Sequence, residues 1–133
     1  MNKRLAVLSL AVLASLAETG CATWGPTWSE ISGARYNVTT LNRRPAFVQK
    51  IDGSSAFVTN PIKIDPGKHE IELSSPQPGW AGGGPLRTMT LNVEPCTRYY
   101  LVAVRDNRLD SDFTVRVDYE EPVGGCTPPP AKG

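Results

Sequence analysis

The sequence predicts an all-β domain, an antiparallel β-sandwich of the Ig-like or prealbumin-like kind with about seven short strands. From Phe47 onward, short runs that alternate apolar and polar residues are separated by Gly, Pro, Asn and Asp. No apolar repeat of 3.6 residues persists for three helical turns. Short strands with frequent turns are typical of sandwiches, and a chain of 133 residues is the size of one domain with one modest core.

The first strands are short and are joined by tight turns. Residues 47–51 and 56–58 predict a hairpin through 52–55, where Gly53 supplies the freedom that the turn needs. Residues 62–64 predict another short strand. The next turn is Asp65-Pro66-Gly67, because proline sets the first turn angle and glycine takes the strained one.

Three later runs, at 68–73, 87–94 and 113–119, alternate with the two-residue period of a half-buried strand. We expect one face of each run to lie in the core, and these faces carry His69, Ile71 and Leu73, then Met89, Leu91 and Val93, then Phe113, Val115, Val117 and Tyr119. Residues 99–104 are apolar on both faces, which predicts the central strand of a sheet.

The N-terminal segment has the layout of an export signal. Lys3 and Arg4 precede an apolar run at 5–16, and small residues lead up to Cys21. The run is shorter than the roughly 20 apolar residues that span a bilayer, so we expect residues 1–20 to be removed. The remaining chain carries 12 basic and 12 acidic side chains. Because it has no net charge to attract a polyanion, we expect no nucleic-acid partner.

Gly20-Cys21, at the end of the apolar run, resembles the site where bacterial lipoprotein precursors are cut and the new N-terminal cysteine is acylated. The resemblance implies a cell-envelope protein held to the membrane by lipid on Cys21. Ala22 stands where an aspartate would indicate inner-membrane retention, which favours the outer membrane, facing the periplasm. Glu18 stands where such signals usually have leucine. The alternative is cleavage after Ala17, which the small-x-small pattern permits and which gives a soluble periplasmic protein.

The three cysteines predict one disulfide. If Cys21 carries lipid, Cys96 and Cys126 remain as a pair in a compartment that permits disulfides. A hairpin with Asp106 opposite Phe113 places residue 123 opposite Cys96, and Cys126 follows after two glycines. A redox pair or a metal site is the alternative, but the chain has no Cys-x-x-Cys spacing and a single histidine.

That histidine, His69, is the one general-base candidate of its kind, and no motif places a nucleophile or a metal ligand beside it. We expect it to pack and to bond to a turn. Asp106, Asp110 and Asp112 lack the glycine and the terminal glutamate of calcium loops, so a solvated hairpin tip is expected there. The sequence predicts no enzyme activity, cofactor or metal.

A second resemblance lies in the stretch 51–73. It reads Ile51-Asp52-Gly53, then Asn60-Pro61-Ile62-Lys63-Ile64, then Asp65-Pro66-Gly67-Lys68-His69-Glu70-Ile71-Glu72-Leu73. This resembles PEGA-like domains, small envelope β-sandwiches with an apolar-Asp-Gly turn, a proline, a short strand and a Pro-Gly-x-His entry into the next strand. Segments 96–104 and 118–122 resemble uncharacterised proteobacterial envelope lipoproteins. These resemblances imply an envelope location and a binding or structural role.

The loop at 75–85 is the candidate contact site. Its Trp80 lies among glycines and prolines and could stack on a sugar or on a protein partner. The alternative is an indole that folds back over an open end of the sandwich. Gln77 and Arg87 are the neighbouring candidates for contact.

The predicted organisation is a signal peptide at 1–20, a lipidated N-terminus, tether and possible edge strand at 21–44, a β-sandwich at 45–126 and a disordered tail at 127–133. The expected function is that of a non-enzymatic envelope lipoprotein acting as an interaction or scaffold module. Its expected partners are the membrane, through lipid on Cys21, and an envelope protein or a cell-wall glycan. The alternative function is glycan or peptidoglycan binding by the Trp80 loop.

Overall fold

The computed structural model describes residues 25–33, 42–55, 60–76, 84–107, 109–128 and 130. Within these ranges the chain is all-β, with eight strands in two sheets and no helix, which confirms the predicted sandwich class. The Ig-like or prealbumin-like subtype stays a prediction. Sheet A consists of β1 (Ser29–Ser32), β2 (Arg43–Pro45), β4 (Ile62–Ile64), β7 (Thr97–Val104) and β8 (Thr114–Pro122); sheet B consists of β3 (Phe47–Ile51), β5 (Gly67–Ser74) and β6 (Arg87–Val93).

Strand β7 is the centre of sheet A, as its apolar character on both faces predicts. One edge pairs with β8 over the whole strand, and the other edge pairs in parallel with β1 and then antiparallel with β2. Strand β1 lies between β7 and β4, inside the sheet, although sequence analysis places 21–44 before the sandwich with at most an edge strand. The chain crosses from sheet A to sheet B at the buried Ala46.

The core lies between the two sheets and uses the predicted apolar faces. Ile71 and Leu73 of β5 are fully buried, and Leu91 and Val93 of β6 are nearly so. Burying such a side chain contributes roughly 1.5–3 kcal/mol relative to leaving it exposed. The core cluster consists of Ile31, Ala46, Ile64, Ile71, Leu73, Leu91, Val93, Tyr99, Leu101, Ala103 and Phe113, with Met89, Val115 and Val117 packed against it.

The prediction for Tyr119 is wrong. Tyr119 pairs with Tyr100, whereas Val117 pairs with Leu101, so Asp118 is an extra residue at a β-bulge. A bulge interrupts the two-residue alternation, which moves Tyr119 to the face opposite Val117. Tyr119 is therefore 39 % exposed on the outer face of sheet A, and its ring centroid lies 6.1 Å from that of Tyr100.

The predicted disulfide is present and joins Cys96 to Cys126, with 5.5 Å between their Cα atoms. The predicted register holds beside it, because the Val123 N–H donates to the Cys96 carbonyl at 2.8 Å. Beyond the bulge the predicted register is wrong by one residue, since Val104 pairs with Thr114 and not with residue 115. Of the first predicted hairpin, the tight turn at Ile51 and Ser54 is present, while 56–58 lie outside the described residues.

The sandwich has two ends with different contents. We call the end that contains Cys96, Cys126 and the start of β5 the disulfide end. We call the opposite end, which contains Ser75, the start of β6 and the β7–β8 connection, the loop end. Strands of up to nine residues separate the two ends by about 30 Å.

Candidate functional site

The loop end holds the only predicted contact residue that the described ranges include. Arg87 is the first residue of β6 and lies at this end. Trp80 and Gln77 lie outside the described residues, as does Cys21. The described stretches that flank the loop, up to Pro76 and from Gly84, are both at this end of the sandwich.

Arg105 closes the loop end from the inside. It follows β7 on the face that carries Leu101 and Ala103, and it is only 2 % exposed. Its Nε donates to the Asp110 carbonyl at 2.9 Å, its Nη2 donates to the Pro76 carbonyl at 2.9 Å, and its Nη1 donates to the Ser75 hydroxyl at 3.3 Å. The guanidinium thus ties the end of sheet A to the end of sheet B.

No carboxylate of a described residue pairs with Arg105. Burial, and secondarily the charge of Arg44, lowers the pKa of Arg105 below its usual value. A buried cation is costly unless its donors are satisfied, and here backbone and hydroxyl oxygens accept its hydrogen bonds. The Phe113 ring, 5.3 Å from the guanidinium carbon, provides a further favourable contact.

A second arginine, Arg87, also contacts the Phe113 ring. The guanidinium carbon of Arg87 lies 5.6 Å from the Phe113 ring centroid, and its Nη1 donates to the Leu86 carbonyl at 2.8 Å. Nε and Nη2 of Arg87 both donate to Asp112. The hydrogen bond from Arg87, followed by that from the Phe113 N–H, lowers the pKa of the Asp112 carboxyl.

Large exposed apolar side chains concentrate at the loop end. Leu109, in the β7–β8 connection, is 70 % exposed, Leu86 is 50 % exposed and Phe47 is 47 % exposed. Phe47 begins β3 opposite Ser74, the last residue of β5, and Leu86 directly precedes β6. Among the described residues none of the large exposed apolar side chains lies at the disulfide end. Phe47 faces the outer side of sheet B, because it pairs with Ser74 beside the buried Leu73, and the fourth, Tyr119, lies on the outer face of sheet A.

Arg44 adds an exposed cation beside this surface. It pairs with Ala103 across the β2–β7 ladder, and the Arg105 N–H donates to the Asn42 carbonyl on the same ladder. Arg44 forms no ion pair with a described residue. By contrast, Arg43 pairs with Asp118 at 3.0 Å. Two neighbouring arginines therefore lie at the loop end without a carboxylate from the described part of the chain.

The disulfide end is tightly bonded. The fully buried Ser29 hydroxyl donates to the Glu94 carbonyl at 2.6 Å and accepts from the Thr97 N–H at 3.1 Å, which holds the β6–β7 turn. The Tyr99 hydroxyl accepts from the Glu94 N–H at 2.8 Å. These bonds satisfy polar groups of a turn that also carries Cys96 with a φ of 55°.

Residues 26–28 lie beside residues 126–127, which follow β8. The Thr127 N–H donates to the Pro26 carbonyl at 3.0 Å, and the Trp28 carbonyl oxygen contacts the Cys126 sulfur at 3.6 Å. Gly25 lies so close to the Gly125 carbonyl that a Cβ would collide with it, and its φ of 144° also favours glycine. The chain therefore enters the sandwich at the disulfide end.

His69 is bonded to turns, as the sequence predicts. Its Nδ1 lies 2.6 Å from the Asp52 carboxylate and its Nε2 lies 2.9 Å from the Asp65 carbonyl. The hydrogen bond from the Glu70 N–H, followed by that from His69, lowers the pKa of Asp52. Because both ring nitrogens face oxygen acceptors, neither is directed at a nucleophile.

The outer face of sheet A carries charges that compensate one another. A row across four strands contains Lys63, Glu30, Arg98 and Glu121 in alternating sign. Arg98 bonds to Glu30 at 2.6 Å and to Glu121 at 3.2 Å. The Tyr100 hydroxyl donates to Glu121 at 2.6 Å, and that carboxylate, followed by burial, raises the pKa of Tyr100.

Scans against protein-family models, curated proteins and solved structures find no match. Among the described residues, no group of three or more His, Cys, Asp or Glu side chains could hold a metal ion, and no helix is long and apolar enough to cross a membrane.

Sequence reasoning missed Arg105, Arg44 and the exposed Leu109. A signal for Arg105 was available, because it continues the inward alternation of Tyr99, Leu101 and Ala103. Its burial depends on carbonyl oxygens from Pro76 and Asp110, which are brought to it by the packing of the two sheets.

Proposed function

We propose that this chain is a non-enzymatic cell-envelope lipoprotein, anchored through an acylated Cys21, whose β-sandwich serves as an interaction module. The proposal includes export, removal of residues 1–20 and a position on the outer membrane facing the periplasm. The PEGA-like and lipoprotein resemblances of the sequence support this location. The disulfide supports it too, because such bonds persist in oxidising compartments.

One observation carries the functional part of the proposal: the two ends of the domain are specialised. Residues 26–28 lie against 126–127 at the disulfide end, while the exposed apolar side chains lie at the loop end. Cys21 precedes Gly25 by four residues, which can span at most about 14 Å. A lipid on Cys21 therefore keeps the disulfide end near the membrane and leaves the loop end toward the aqueous side.

Metabolic labelling of the native host protein with radioactive palmitate tests the anchor. We expect label on the wild-type chain, accumulation of the unprocessed precursor with globomycin, and no label on the Cys21→Ser variant. Cleavage after Ala17, with an unlabelled protein in the soluble periplasmic fraction, would overturn the anchor.

Glu18 provides a matched control. Because lipoprotein signals usually carry an apolar residue at this place, Glu18→Leu should raise the fraction of labelled chain, whereas Cys21→Ser should remove all of it. Pulse-chase labelling measures both fractions. A Glu18→Leu variant that is processed no better than wild type would contradict the assigned cleavage site.

The second candidate function is glycan or peptidoglycan binding by the Trp80 loop. It is favoured by the way both flanks of that loop are held, with the Pro76 carbonyl bonded to Arg105 and the Leu86 carbonyl bonded to Arg87. Such anchoring would limit the entropy cost of presenting a loop to a ligand. Tryptophan emission of the mature chain should shift or quench with cell-wall sugars, and Trp80→Phe should abolish this response while Trp28→Phe leaves it. No response would contradict the glycan function.

A further inference from the structure

We propose that the loop end is a docking surface for a protein segment that offers apolar side chains next to a carboxylate. The surface is defined by Phe47, Leu86 and Leu109 together with Arg44. The proposal goes beyond the proposed function by naming the partner's chemistry, and it relies on the anchor only for the direction in which the loop end points.

The large exposed apolar side chains are unevenly distributed over the described part of the domain. Leu109, Leu86 and Phe47 leave 70, 50 and 47 % of their surface in water at one end of the domain. Isolated exposed apolar residues are common, but their concentration at one place is typical of an interaction site. In the described part of the disulfide end, no large apolar side chain is among the exposed ones.

Arg44 is the charged residue of the surface. Its side chain is exposed, it has no ion pair with a described residue, and the buried Arg105 stands beside it on the same ladder. The neighbouring cation Arg87 is already paired with Asp112. A carboxylate from a partner would compensate Arg44, and arginine is enriched at protein interfaces because it combines such pairing with apolar contact.

The direction of the chain favours a protein over lipid as the occupant. The described N-terminal residues lie at the disulfide end, so an anchored domain holds the loop end about 30 Å farther from the membrane. In a domain that extends away from its anchor, apolar side chains at the loop end face the aqueous side rather than the bilayer. Their occupant is therefore a protein segment on the aqueous side.

The proposal is tested with the mature, oxidised chain carrying Cys21→Ser, which removes the lipid. A random-peptide phage library is panned against it, and enriched peptides are synthesised for fluorescence anisotropy. We expect enriched sequences that combine apolar residues with Asp or Glu. Their Kd should rise about tenfold for Leu109→Ser and up to about fivefold for Arg44→Gln.

Arg116→Gln is the matched control for Arg44→Gln. Arg116 is also exposed and without an ion pair to a described residue, but it lies on β8 opposite Val102, on the outer face of sheet A. The Arg116→Gln variant should leave the Kd of the enriched peptides unchanged. Circular dichroism of each variant, compared with wild type, separates lost docking from lost folding.

Three results would overturn the docking proposal. The first is an absence of enriched peptides, or enriched peptides whose Kd is the same for wild type, Leu109→Ser and Arg44→Gln. The second is cosedimentation of the lipid-free chain with phosphatidylethanolamine–phosphatidylglycerol vesicles that Leu109→Ser abolishes. The third is a dimer in sedimentation equilibrium that the same variant dissociates. Palmitate labelling of Cys21 is independent of all three, so the failure of the anchor remains distinguishable.

Discussion

The two ends of this sandwich are stabilised by different means. The disulfide end is closed by the Cys96–Cys126 bond and by the buried Ser29 hydroxyl. The loop end is closed by the guanidinium of Arg105 and exposes Leu109 and other apolar side chains to water. One end is thus closed by a covalent bond and neutral hydrogen bonds, while the other is closed by a buried cation and leaves large apolar side chains in water.

Polar bonding at the two ends also differs in kind. At the disulfide end, neutral hydroxyls bond to a turn within the same packed region, and such bonds contribute about 1 kcal/mol each. At the loop end, a cation bonds to carbonyls on two different connections. Charged side chains therefore close the loop end, Arg105 between two connections and Arg87 through Asp112, whereas neutral hydroxyls and a disulfide close the other end.

The largest expected effect comes from removing the disulfide. Cys96→Ser with Cys126→Ser opens a loop closed across 30 residues, which should lower the free energy of unfolding by about 3–4 kcal/mol through the entropy of the unfolded chain. Urea denaturation measures the change. Reduced wild-type protein should match the double variant, and a loss under about 1 kcal/mol would mean that the hydrogen bonds alone close this end.

The next effect comes from Arg105. Arg105→Met keeps most of the side-chain volume but leaves the Ser75 hydroxyl and two carbonyls without their donor, which should cost about 1–3 kcal/mol. Amide hydrogen exchange should rise near Ser75 and Asp110 and stay unchanged near Cys96. Arg105→Lys is the control that keeps the charge but loses the bonding to three acceptors. Its free energy of unfolding should lie between those of Arg105→Met and wild type. An equal rise in amide hydrogen exchange at both ends would show that Arg105 does not stabilise the loop end selectively.

The smallest effects are those of pH. The pKa of Asp52, near the disulfide end, and that of Asp112, at the loop end, are both lowered from the ordinary value of 3.8. A carboxyl with a lowered pKa in the folded state stabilises the protein above the unfolded value, and this stability is lost as the pH falls below about 4 through the folded pKa. Asp52→Asn and Asp112→Asn should each flatten the loss of stability on acidification.

These two variants also sharpen the comparison, because their local effects should differ. Asn tolerates the φ of 49° at position 52, so Asp52→Asn tests the charge without new backbone strain. It should change exchange near Glu70 only. Asp112→Asn should change exchange near Arg87 and Phe113 only. An acid response that neither variant alters would show that other carboxyls dominate it.

Local sequence signals were enough to predict the fold class and the described strands from Phe47 onward, but not β1 and β2. The alternation at 68–73 and 87–94 predicts strands whose buried faces the structure confirms, because a two-residue period with one apolar face specifies both conformation and register. The same reasoning failed at Tyr119. A single-residue bulge leaves no pattern in the sequence, and its position depends on how β8 pairs with β7.

Periodicity, turn residues and cysteine spacing predicted the all-β class, the central place of β7, the pairing of Cys96 with Cys126 and the bonding of His69 to a turn. The position of β1 inside sheet A and the burial of Arg105 between carbonyl oxygens are set by the packing of the two sheets. That packing also decides which end exposes Leu109. The physical reason is range: periodicity and turn chemistry act between near neighbours, whereas these features depend on groups tens of residues apart that meet only when the two sheets pack.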